Sequence, residues 1–587
     1  MTPFPEPPKG PWASRGVTRH EKQMLQFVVD VLDQPGGREL LLTEDGVRAL
    51  RRQFGLHDGV VFEPADTQRY AEKLFLAALR DLKRKTIHSA CRGVCAVLDA
   101  EFEVLQSDSL VPDALRRSLG RLAGQQAEAS GAPWDVWCFL TDDADDREWW
   151  GSRAVLDPFM FPAARGRTRT LGEGGRIDLE RCWQWMGMGD VRTTDGLLGT
   201  YGEEQTPLEF RVLPSEVHFR ADGTAQIASY VNGLHPSVGG MYGALERVLD
   251  VVIPQWQRVL GSFEDCRRIV PDKAFMGGYM SQLRSAGGGG RLHPSIAVLN
   301  QERREDFKAA RMGEEDSLQV IFRMDNIAGE AVYMQDDDKL GYGVNYSRGE
   351  WRRPAPFSED VVAVAIYCYD ADESQGSEVR IQLKQDTSPD VFDACSKHPS
   401  SRFTGGNNNV AARAFNELYN EVEVSPYDSL EGDYPDMDPE KPSAVELLGS
   451  VRLAQGRLLV FPASVQHRFW VKGVPSSCGI LTMALVDPRR PSGLSTATVP
   501  PQSRDYWRAH IRDIPWFRRL PEELWLLINS ELDSIKGGGA TADGGDDADD
   551  CDHQQYPVSR RAAWETRQKV NEARARYEQE IGNTMVS

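Results

Sequence analysis

The sequence has no long apolar segment. No run of about 18 apolar residues occurs in its 587 residues, and a helix that crosses a membrane needs roughly that length. The first residues, MTPFPEPPKGPW, are rich in proline and lack the apolar core of a signal peptide. A membrane protein or a secreted protein is therefore not expected. We predict a cytoplasmic protein, with the nucleus as the alternative location.

The sequence also lacks paired cysteines and an excess of positive charge. Its nine cysteines include no C-x-x-C pair, which is the usual spacing of cysteine ligands in a structural zinc site. We therefore expect free thiols. Cys91 and Cys95 are four positions apart, a spacing more typical of packing on one helix face than of a metal site. Lys and Arg number 68 against 88 Asp and Glu, a net charge of -20, which disfavours binding of a polyanion. Nucleic acid is therefore not an expected partner.

A third absence concerns iron ligands. A facial-triad iron site needs two histidines and one carboxylate, and an H-x-D or H-x-E pair usually supplies two of them. No such pair occurs among the 10 histidines, and between His293 and His467 the only histidine is His398, in a polar segment. The stretch GRLLVFPASVQHRFW nevertheless has the order strand, turn, histidine, with a further strand pattern at Ile480 to Val486. His467 therefore has the position of the distal metal ligand in a double-stranded β-helix, with a hydrogen-bonded strand-end histidine as the alternative.

Helical and strand patterns divide the chain into four parts. After a disordered N-terminus (1–19), apolar residues at helical spacing predict a helical region over 20–92. Strand patterns dominate 93–515, and their density from Leu318 onward predicts an antiparallel barrel or sandwich with long loop and helical insertions. Helical patterns return in 516–587, around a Gly- and Asp-rich segment (537–553) that we expect to be disordered. The predicted fold class is α+β.

Shorter patterns make local predictions. The segment VLDAEFEVLQSD predicts a hairpin with Asp99 near its turn. The segment MYGALERVLDVVIPQWQRVL predicts an amphipathic helix that Pro254 kinks or divides. His235 lies at a strand-to-helix corner before Pro236, and because proline pre-sets such corners we favour a structural role in the turn over a ligand role.

Several blocks, in sequence order, resemble one family. The blocks are VLDAEFEVLQSDSLVPDALR, LPSEVHFRADGTAQIASYVNGLHP, VVIPQWQRVL, QVIFRMDNI, AIYCYD, GRLLVFPASVQHR, ALVDP and STATVPPQSRDYW. From His20 to Trp507 the chain resembles domain-of-unknown-function family 4246 (DUF4246), a chiefly fungal family. The resemblance implies a double-stranded β-helix core of the jelly-roll or cupin-like type, with a helical N-terminal region and C-terminal helices. The implied fold is similar to that of iron and 2-oxoglutarate oxygenases, so the resemblance implies Fe(II) and 2-oxoglutarate as cofactors.

The chain departs from the family pattern at the implied metal site. The family usually carries a W-H-x-E-G motif before the strand AIYCYD, and this chain has GEWRRPAPFSED there. Trp351 matches, whereas Arg352 stands where the first histidine is expected and Pro354 where the carboxylate is expected. A basic residue for the far carboxylate of 2-oxoglutarate is expected about ten positions after the distal histidine, on the next strand. This chain has Ser-Ser-Cys-Gly-Ile there, with Cys478 at the centre and no cation.

Arginine at a ligand position opposes metal binding because its fixed positive charge repels a cation and its guanidinium cannot be deprotonated. Three explanations stay open. The site is degenerate and binds an anionic ligand or a protein partner instead. Alternatively, a nearby carboxylate, Glu350 or Glu359, joins His467 as a replacement ligand. Finally, the short departure from the family motif reflects a misread exon boundary.

Three functions follow from these observations. The favoured one is an oxygenase-like protein with a degenerate metal site, inactive or altered in chemistry. The second is an active Fe(II)/2-oxoglutarate-dependent dioxygenase that oxidises a small metabolite. The third is a non-catalytic binding or scaffold protein that uses its long loops and the acidic segment. A small molecule is the expected ligand or substrate, while the sequence leaves its identity and the oligomeric state open.

Overall fold

The computed structural model describes Phe4, Val17 and residues 19–56, 65–99, 102–130, 134–138, 149–172, 174–191, 198–201, 204–207, 209–262, 309–330, 346–348, 360–372, 378–386, 445–472, 477–511, 519–534 and 557–586. The helices in these ranges are α1 (Arg19–Asp33), α2 (Glu44–Gln53), α3 (Ala65–Arg92), α4 (Asp113–Ser130), α5 (Gly240–Gly261), α6 (Arg504–Ile511), α7 (Glu522–Ser534) and α8 (Arg560–Val586). The predicted disordered segment 537–553 lies outside the described residues, and so does most of 1–19. The boundaries of the four predicted parts stay predictions.

The three N-terminal helices pack around an aromatic cluster. The Phe27 ring meets the edge of Phe54 at 4.9 Å between centroids, and Phe54 lies 5.5 Å from Phe75. Thr43 caps α2, because its side chain accepts a hydrogen bond from the amide of Gly46. Burial of these rings ties α1, α2 and α3 into one layer.

Twenty strands lie in the described residues. They are β1 (Cys95–Val97), β2 (Val104–Ser107), β3 (Trp134–Cys138), β4 (Trp149–Leu156), β5 (Ala163–Ala164), β6 (Arg169–Thr170), β7 (Asp190–Val191), β8 (Leu198–Tyr201), β9 (Glu204–Pro207), β10 (Phe210–Arg211), β11 (Ser215–Phe219), β12 (Ala225–Ile227), β13 (Ser317–Glu330), β14 (Tyr346–Arg348), β15 (Val361–Ala371), β16 (Glu378–Asp386), β17 (Val445–Arg452), β18 (Leu458–Pro462), β19 (Gln466–Lys472) and β20 (Cys478–Val486). The predicted hairpin is present, since β1 and β2 pair antiparallel on either side of Asp99.

Two antiparallel sheets form the centre of the molecule. The large sheet has ten strands, in the order β1-β2-β18-β15-β20-β13-β11-β12, with β4 also paired to β13 and β3 paired to β4. The small sheet has four strands in the order β14-β19-β16-β17. Three further strand pairs, β5 with β10, β6 with β7 and β8 with β9, stand apart from both. Antiparallel sheets with helices at both ends confirm the predicted α+β class.

The large sheet is buried on both faces. Along β15, Val364, Ile366 and Cys368 join a core shared with the small sheet and the N-terminal helices. The alternate residues, including Ala365 and Tyr367, join a second core beneath α4 and α5. Because successive strand residues point to opposite faces, β15 must be apolar almost throughout. The space between the two sheets is therefore walled by side chains of β15, β18 and β20 on one side and of β16, β17 and β19 on the other.

Helix α5 forms as predicted, and of the two effects expected of Pro254, a kink or a division, the division is absent. The helix runs without interruption from Gly240 to Gly261, and Pro254 does not divide it. The residues on both sides of Pro254, such as Ile253 and Trp256, are buried in the core beneath the large sheet. That burial holds the helix together across the missing backbone donor of Pro254.

Charged contacts fasten the N-terminal helices to the sheets. Arg457, in the turn before β18, lies 2.6 Å from Asp33 of α1 and 2.7 Å from Asp108, which follows β2. Gln26 of α1 forms two hydrogen bonds with the backbone of Ser450 in β17. These contacts fix α1 against strands of both sheets. The described residues contain no helix that is both long and apolar enough to cross a membrane.

Candidate functional site

His467 faces the space between the two sheets. It is the second residue of β19, and its side chain alternates with Phe469 and Val471, which pack into the shared core. Its partner across the ladder is Leu383 of β16, another residue of that core. The histidine is 8% exposed. The sequence placed this histidine after a turn, between two strand patterns, and did not predict the strand Gln466–Lys472 itself.

Phenylalanine rings flank the imidazole of His467. The ring of Phe461, from β18 of the large sheet, lies 5.7 Å away, and that of Phe469 lies 6.0 Å away, both meeting it edge to face. Arg468 points to the other face of the small sheet and donates to the side-chain oxygen of Gln382 at 2.6 Å. The wall beside His467 is thus built largely for packing.

Cys478 lies on the opposite wall of the same space. It begins β20, is 1% exposed, and its Sγ is 4.0 Å from Sγ of Cys368 on β15. The hydrogen bond with Cys368 and burial raise the pKa of the Cys478 thiol, and the nearby Asp370 carboxylate raises it further. Asp370 also accepts a hydrogen bond from Ser477 at 3.0 Å. The position expected to hold a cation for 2-oxoglutarate therefore has two thiols and a negatively charged neighbour.

The remaining predicted site residues lie outside the described residues. They are Glu350, Arg352, Pro354, Glu359 and His398. Strand β14 ends at Arg348, which pairs with Trp470. Because β14 is antiparallel to β19, the C-terminal end of β14 points toward His467. Among the described residues, no three side chains of His, Cys, Asp or Glu lie close enough together to hold one metal ion.

His235 has the structural role that its sequence context predicts. It precedes a short 3-10 helix (Pro236–Val238), with Pro236 in the first helical position. Its Nδ1 atom accepts a hydrogen bond from the amide of Ser237 at 3.2 Å, so the ring caps this helix. The same histidine also lines a pocket, which the sequence analysis did not predict.

This pocket lies away from the space between the sheets and has a volume of about 730 Å³, part of it open to solvent. Five segments form its wall: the end of α4, the end of β4 with the loop after it, the turn after β12, the residues that lead into α6 with its first turn, and the start of α8. They contribute, among others, Phe161, Tyr230, Asn232, Tyr506 and Trp564. Pockets that bind small molecules combine apolar walls with a few polar groups, and this lining has both.

The buried charges in the pocket wall are paired. Asp157 accepts hydrogen bonds from Nε of Arg567 in α8 and from the amide of Phe159. Burial alone would raise the pKa of Asp157, but Arg323, Arg567 and the Phe159 amide together hold it below its ordinary value. Asp505 lies 2.8 Å from Arg560 at the pocket edge. The pocket wall thus contains two ion pairs, and these pairs contribute no net charge.

Two of the quoted family blocks meet at this pocket. The block YVNGLHP supplies Tyr230, Asn232 and His235, and the block PPQSRDYW supplies Gln502 and Tyr506. Gln502 donates to the carbonyls of Phe161 and Pro162 at 3.0 and 3.1 Å, which fixes one block against the loop after β4. Polar residues cluster in both blocks, and this clustering was the only sign of a site in the sequence. Nothing in the sequence indicated that the two blocks meet.

Comparison with known proteins gives a family and no activity. A family model described as a protein of unknown function, DUF4246, matches residues 72–510. No curated protein and no solved structure matches the chain.

Proposed function

The chain belongs to the DUF4246 family, and from that premise we propose an oxygenase-like protein: a double-stranded β-helix whose metal site is degenerate. In this proposal the space between the two sheets corresponds to an oxygenase active site, and His467 is the one ligand position that is kept. Arg352 and Pro354 replace the other two ligands. The protein is inactive as a 2-oxoglutarate oxygenase or altered in its chemistry.

The strand order supports the double-stranded β-helix. From β13 to β20 the strands alternate between sheets except at β16 and β17, which follow one another in the small sheet. The large sheet contains β13, β15, β18 and β20, and the small sheet contains β14, β16, β17 and β19. They pair as β13-β20-β15-β18 and as β14-β19-β16-β17. Two facing four-stranded sheets joined by such crossovers are the arrangement of a jelly roll, and cupins share it.

The direction of His467 is the observation that carries the proposal. Its side chain points between the sheets, from the strand that pairs with β14, and β14 leads toward Arg352 in the sequence. A facial triad would need two further ligands from that segment. Arg352 and Pro354 supply neither. In this proposal Cys478, whose Sγ lies 4.0 Å from that of Cys368, replaces the cation that would bind 2-oxoglutarate.

A non-catalytic ligand-binding protein is the second candidate function. The pocket beneath α8 supports it, because that pocket has an apolar wall and paired charges and lies apart from His467. This function needs no metal. It is compatible with a degenerate site between the sheets, so the two candidates describe different parts of one molecule.

Conversion of 2-oxoglutarate to succinate tests the first proposal. The unaltered chain is supplied with Fe(II), ascorbate, oxygen and 2-oxoglutarate, and succinate is measured by mass spectrometry beside a His467→Ala control. We expect succinate at the level of the iron-only blank for both proteins. Succinate above that blank that disappears in His467→Ala would contradict the degenerate site and would favour replacement ligands such as Glu350 or Glu359.

A further inference from the structure

The walls of the pocket beneath α8 are aromatic, and the tyrosine hydroxyls are bonded within the protein. The Tyr230 hydroxyl donates to the carbonyl of Val499 at 2.8 Å, and the Tyr506 hydroxyl lies 3.0 Å from Sγ of Cys182. The two rings are 6.1 Å apart and tilted by 55°. Because the hydroxyls are engaged, these rings offer mainly carbon surface to a ligand. Flat apolar surfaces of this kind suit a planar ring.

The charges in the lining do not favour an ionic ligand. Asp157 is bound by Arg567, and the Asp505 carboxylate by Arg560, so neither sign predominates. The Arg567 guanidinium covers one side of Trp564, 4.6 Å from the centre of the indole ring. This contact also engages the positive charge of Arg567. A charged ligand would lose its hydration without gaining a free counter-ion, and that loss is costly. An uncharged ligand is therefore favoured.

Two polar groups are available to orient such a ligand. Nδ1 of His235 lies 2.7 Å from Oγ of Ser237 and accepts from the Ser237 amide at 3.2 Å, so we assign the proton of the neutral ring to Nε2, which can donate. Burial lowers the pKa of His235, with Asp505 opposing and Arg560 adding to this effect, and keeps the ring neutral near pH 7. Asn232 donates through Nδ2 to the carbonyls of Pro158 and Phe161, and its Oδ1 accepts no bond from the described residues. The lining thus offers one donor and one acceptor.

We propose that this pocket binds an uncharged, planar aromatic molecule that carries a carboxamide or a similar neutral donor and acceptor. The carbonyl oxygen of the ligand accepts from Nε2 of His235, and its amide N–H donates to Oδ1 of Asn232. The rings of Tyr230 and Tyr506 contact the ring of the ligand. The inference names the ligand class of the second candidate function, and it holds whether or not iron binds between the sheets.

Three probes with the same ring test the charge argument. Benzamide, benzoate and benzamidine are neutral, anionic and cationic at pH 7.5, and each is titrated into the full chain by calorimetry, with saturation-transfer NMR as a second readout. We expect benzamide to bind with a Kd of about 1 mM or tighter, and both charged probes at least about tenfold more weakly. Equal or tighter binding of either charged probe, or no benzamide binding at 10 mM, overturns the proposal.

Two variants test the orientation. His235→Asn keeps a good capping residue for the 3-10 helix and removes the Nε2 donor, so we expect benzamide to bind about fivefold more weakly. Ser237→Ala is the matched control, because it alters a neighbour of Nδ1 without touching Nε2, and its affinity should stay within about twofold. Ser130→Trp, at the pocket edge on the last turn of α4, narrows the pocket without changing His235 and should weaken benzamide at least about fivefold. Unchanged binding in both His235→Asn and Ser130→Trp would place the probe elsewhere and overturn the proposal.

Discussion

The space between the two sheets and the pocket beneath α8 differ in what their walls offer a ligand. Between the sheets, His467 lies beside Phe461 and Phe469, and the opposite wall has the thiols of Cys368 and Cys478. The pocket instead has paired charges, amide groups and tyrosine rings around about 730 Å³. The family resemblance points to the first region, whereas the described side chains favour ligand binding in the second. A family resemblance therefore does not by itself locate the functional site.

The two regions also differ in how they are held together. The first is closed by apolar packing between strands of facing sheets, so its integrity depends on side-chain volume. The second depends on α8, which docks through the buried Arg567 and Asp157 pair. Changes of volume should therefore act on the first region and changes of charge on the second.

The largest expected effect is that of Phe461→Ala. Phe461 is 0% exposed and contacts the His467 ring, so its truncation leaves a cavity between the sheets. We expect the free energy of unfolding to fall by about 4 kcal/mol, measured by urea unfolding, and by less than about 1.5 kcal/mol for the control Phe461→Leu. Benzamide affinity of the folded protein should not change. A loss below about 1 kcal/mol for Phe461→Ala would show that this region is not tightly packed.

The second prediction concerns Arg567→Met in α8. The change leaves Asp157 buried beside Arg323 alone, and we expect the free energy of unfolding to fall by about 3 kcal/mol together with a loss of benzamide binding. Arg561→Met is the control on the same helix: Arg561 is 85% exposed and pairs with Glu565, so the expected loss is below about 0.5 kcal/mol. Equal effects of the two changes would contradict the docking of α8 through Asp157.

The ion pair between Asp157 and Arg567 should lose its stabilising effect at low pH. Because the pKa of Asp157 is lower in the folded than in the unfolded chain, its contribution to stability is present above pH 3.8 and is lost as the pH falls through the folded pKa. Arg567→Met should lose this part of the pH dependence. Urea unfolding from pH 5 to pH 2.5 would show the difference.

The third prediction compares cysteines. Cys478 is buried beside Cys368 with a raised pKa, whereas Cys91 is exposed. Iodoacetamide at pH 8 should modify Cys478 at least about tenfold more slowly than Cys91 in the folded protein, and at a similar rate in urea, as measured by peptide mass spectrometry. Similar rates in the folded protein would mean that the space between the sheets opens to solvent.

The smallest expected effect is the titration of His235. Burial lowers its pKa below 6.5, so the ring is neutral at pH 7 and its contribution to stability is lost as the pH falls through the folded pKa. Benzamide affinity should be constant between pH 8 and pH 6.5. At lower pH, protonation of Nδ1 should break its hydrogen bond from the Ser237 amide, while Nε2 keeps its proton. Two-dimensional NMR of the ring nitrogens measures this pKa directly. A pKa above 6.5 would remove the argument that Nε2 donates from a neutral ring.

Local patterns predicted much of the fold. Alternation and β-branched content located β15, β18 and β20, the hairpin around Asp99 formed as expected, and His235 caps the turn that Pro236 begins. Pro254 was expected to kink or divide α5, but burial against the large sheet keeps the helix undivided. Tertiary packing of this kind cannot be derived from a helical pattern.

The candidate sites were less predictable because they depend on distant contacts. Nothing in the sequence shows that Arg567 reaches Asp157, 410 residues earlier, or that Tyr230 and Tyr506 face each other. His467 could be placed between two strand patterns, but strand β19 and the orientation of the histidine follow from pairing between β19 and β16. The resemblance alone assigned roles to Arg352, Pro354 and Cys478, and the metal site derived from it stays a prediction.

The most direct test of the degenerate site is an anaerobic calorimetric titration with Fe(II), with and without 2-oxoglutarate. It compares the unaltered chain with the double variant Arg352→His, Pro354→Glu, and with Arg353→His as a control that adds a histidine at the wrong position. The account predicts no tight iron binding by the unaltered chain or the control, and binding near one equivalent by the double variant. Tight, stoichiometric binding by the unaltered chain, lost in His467→Ala, would contradict it.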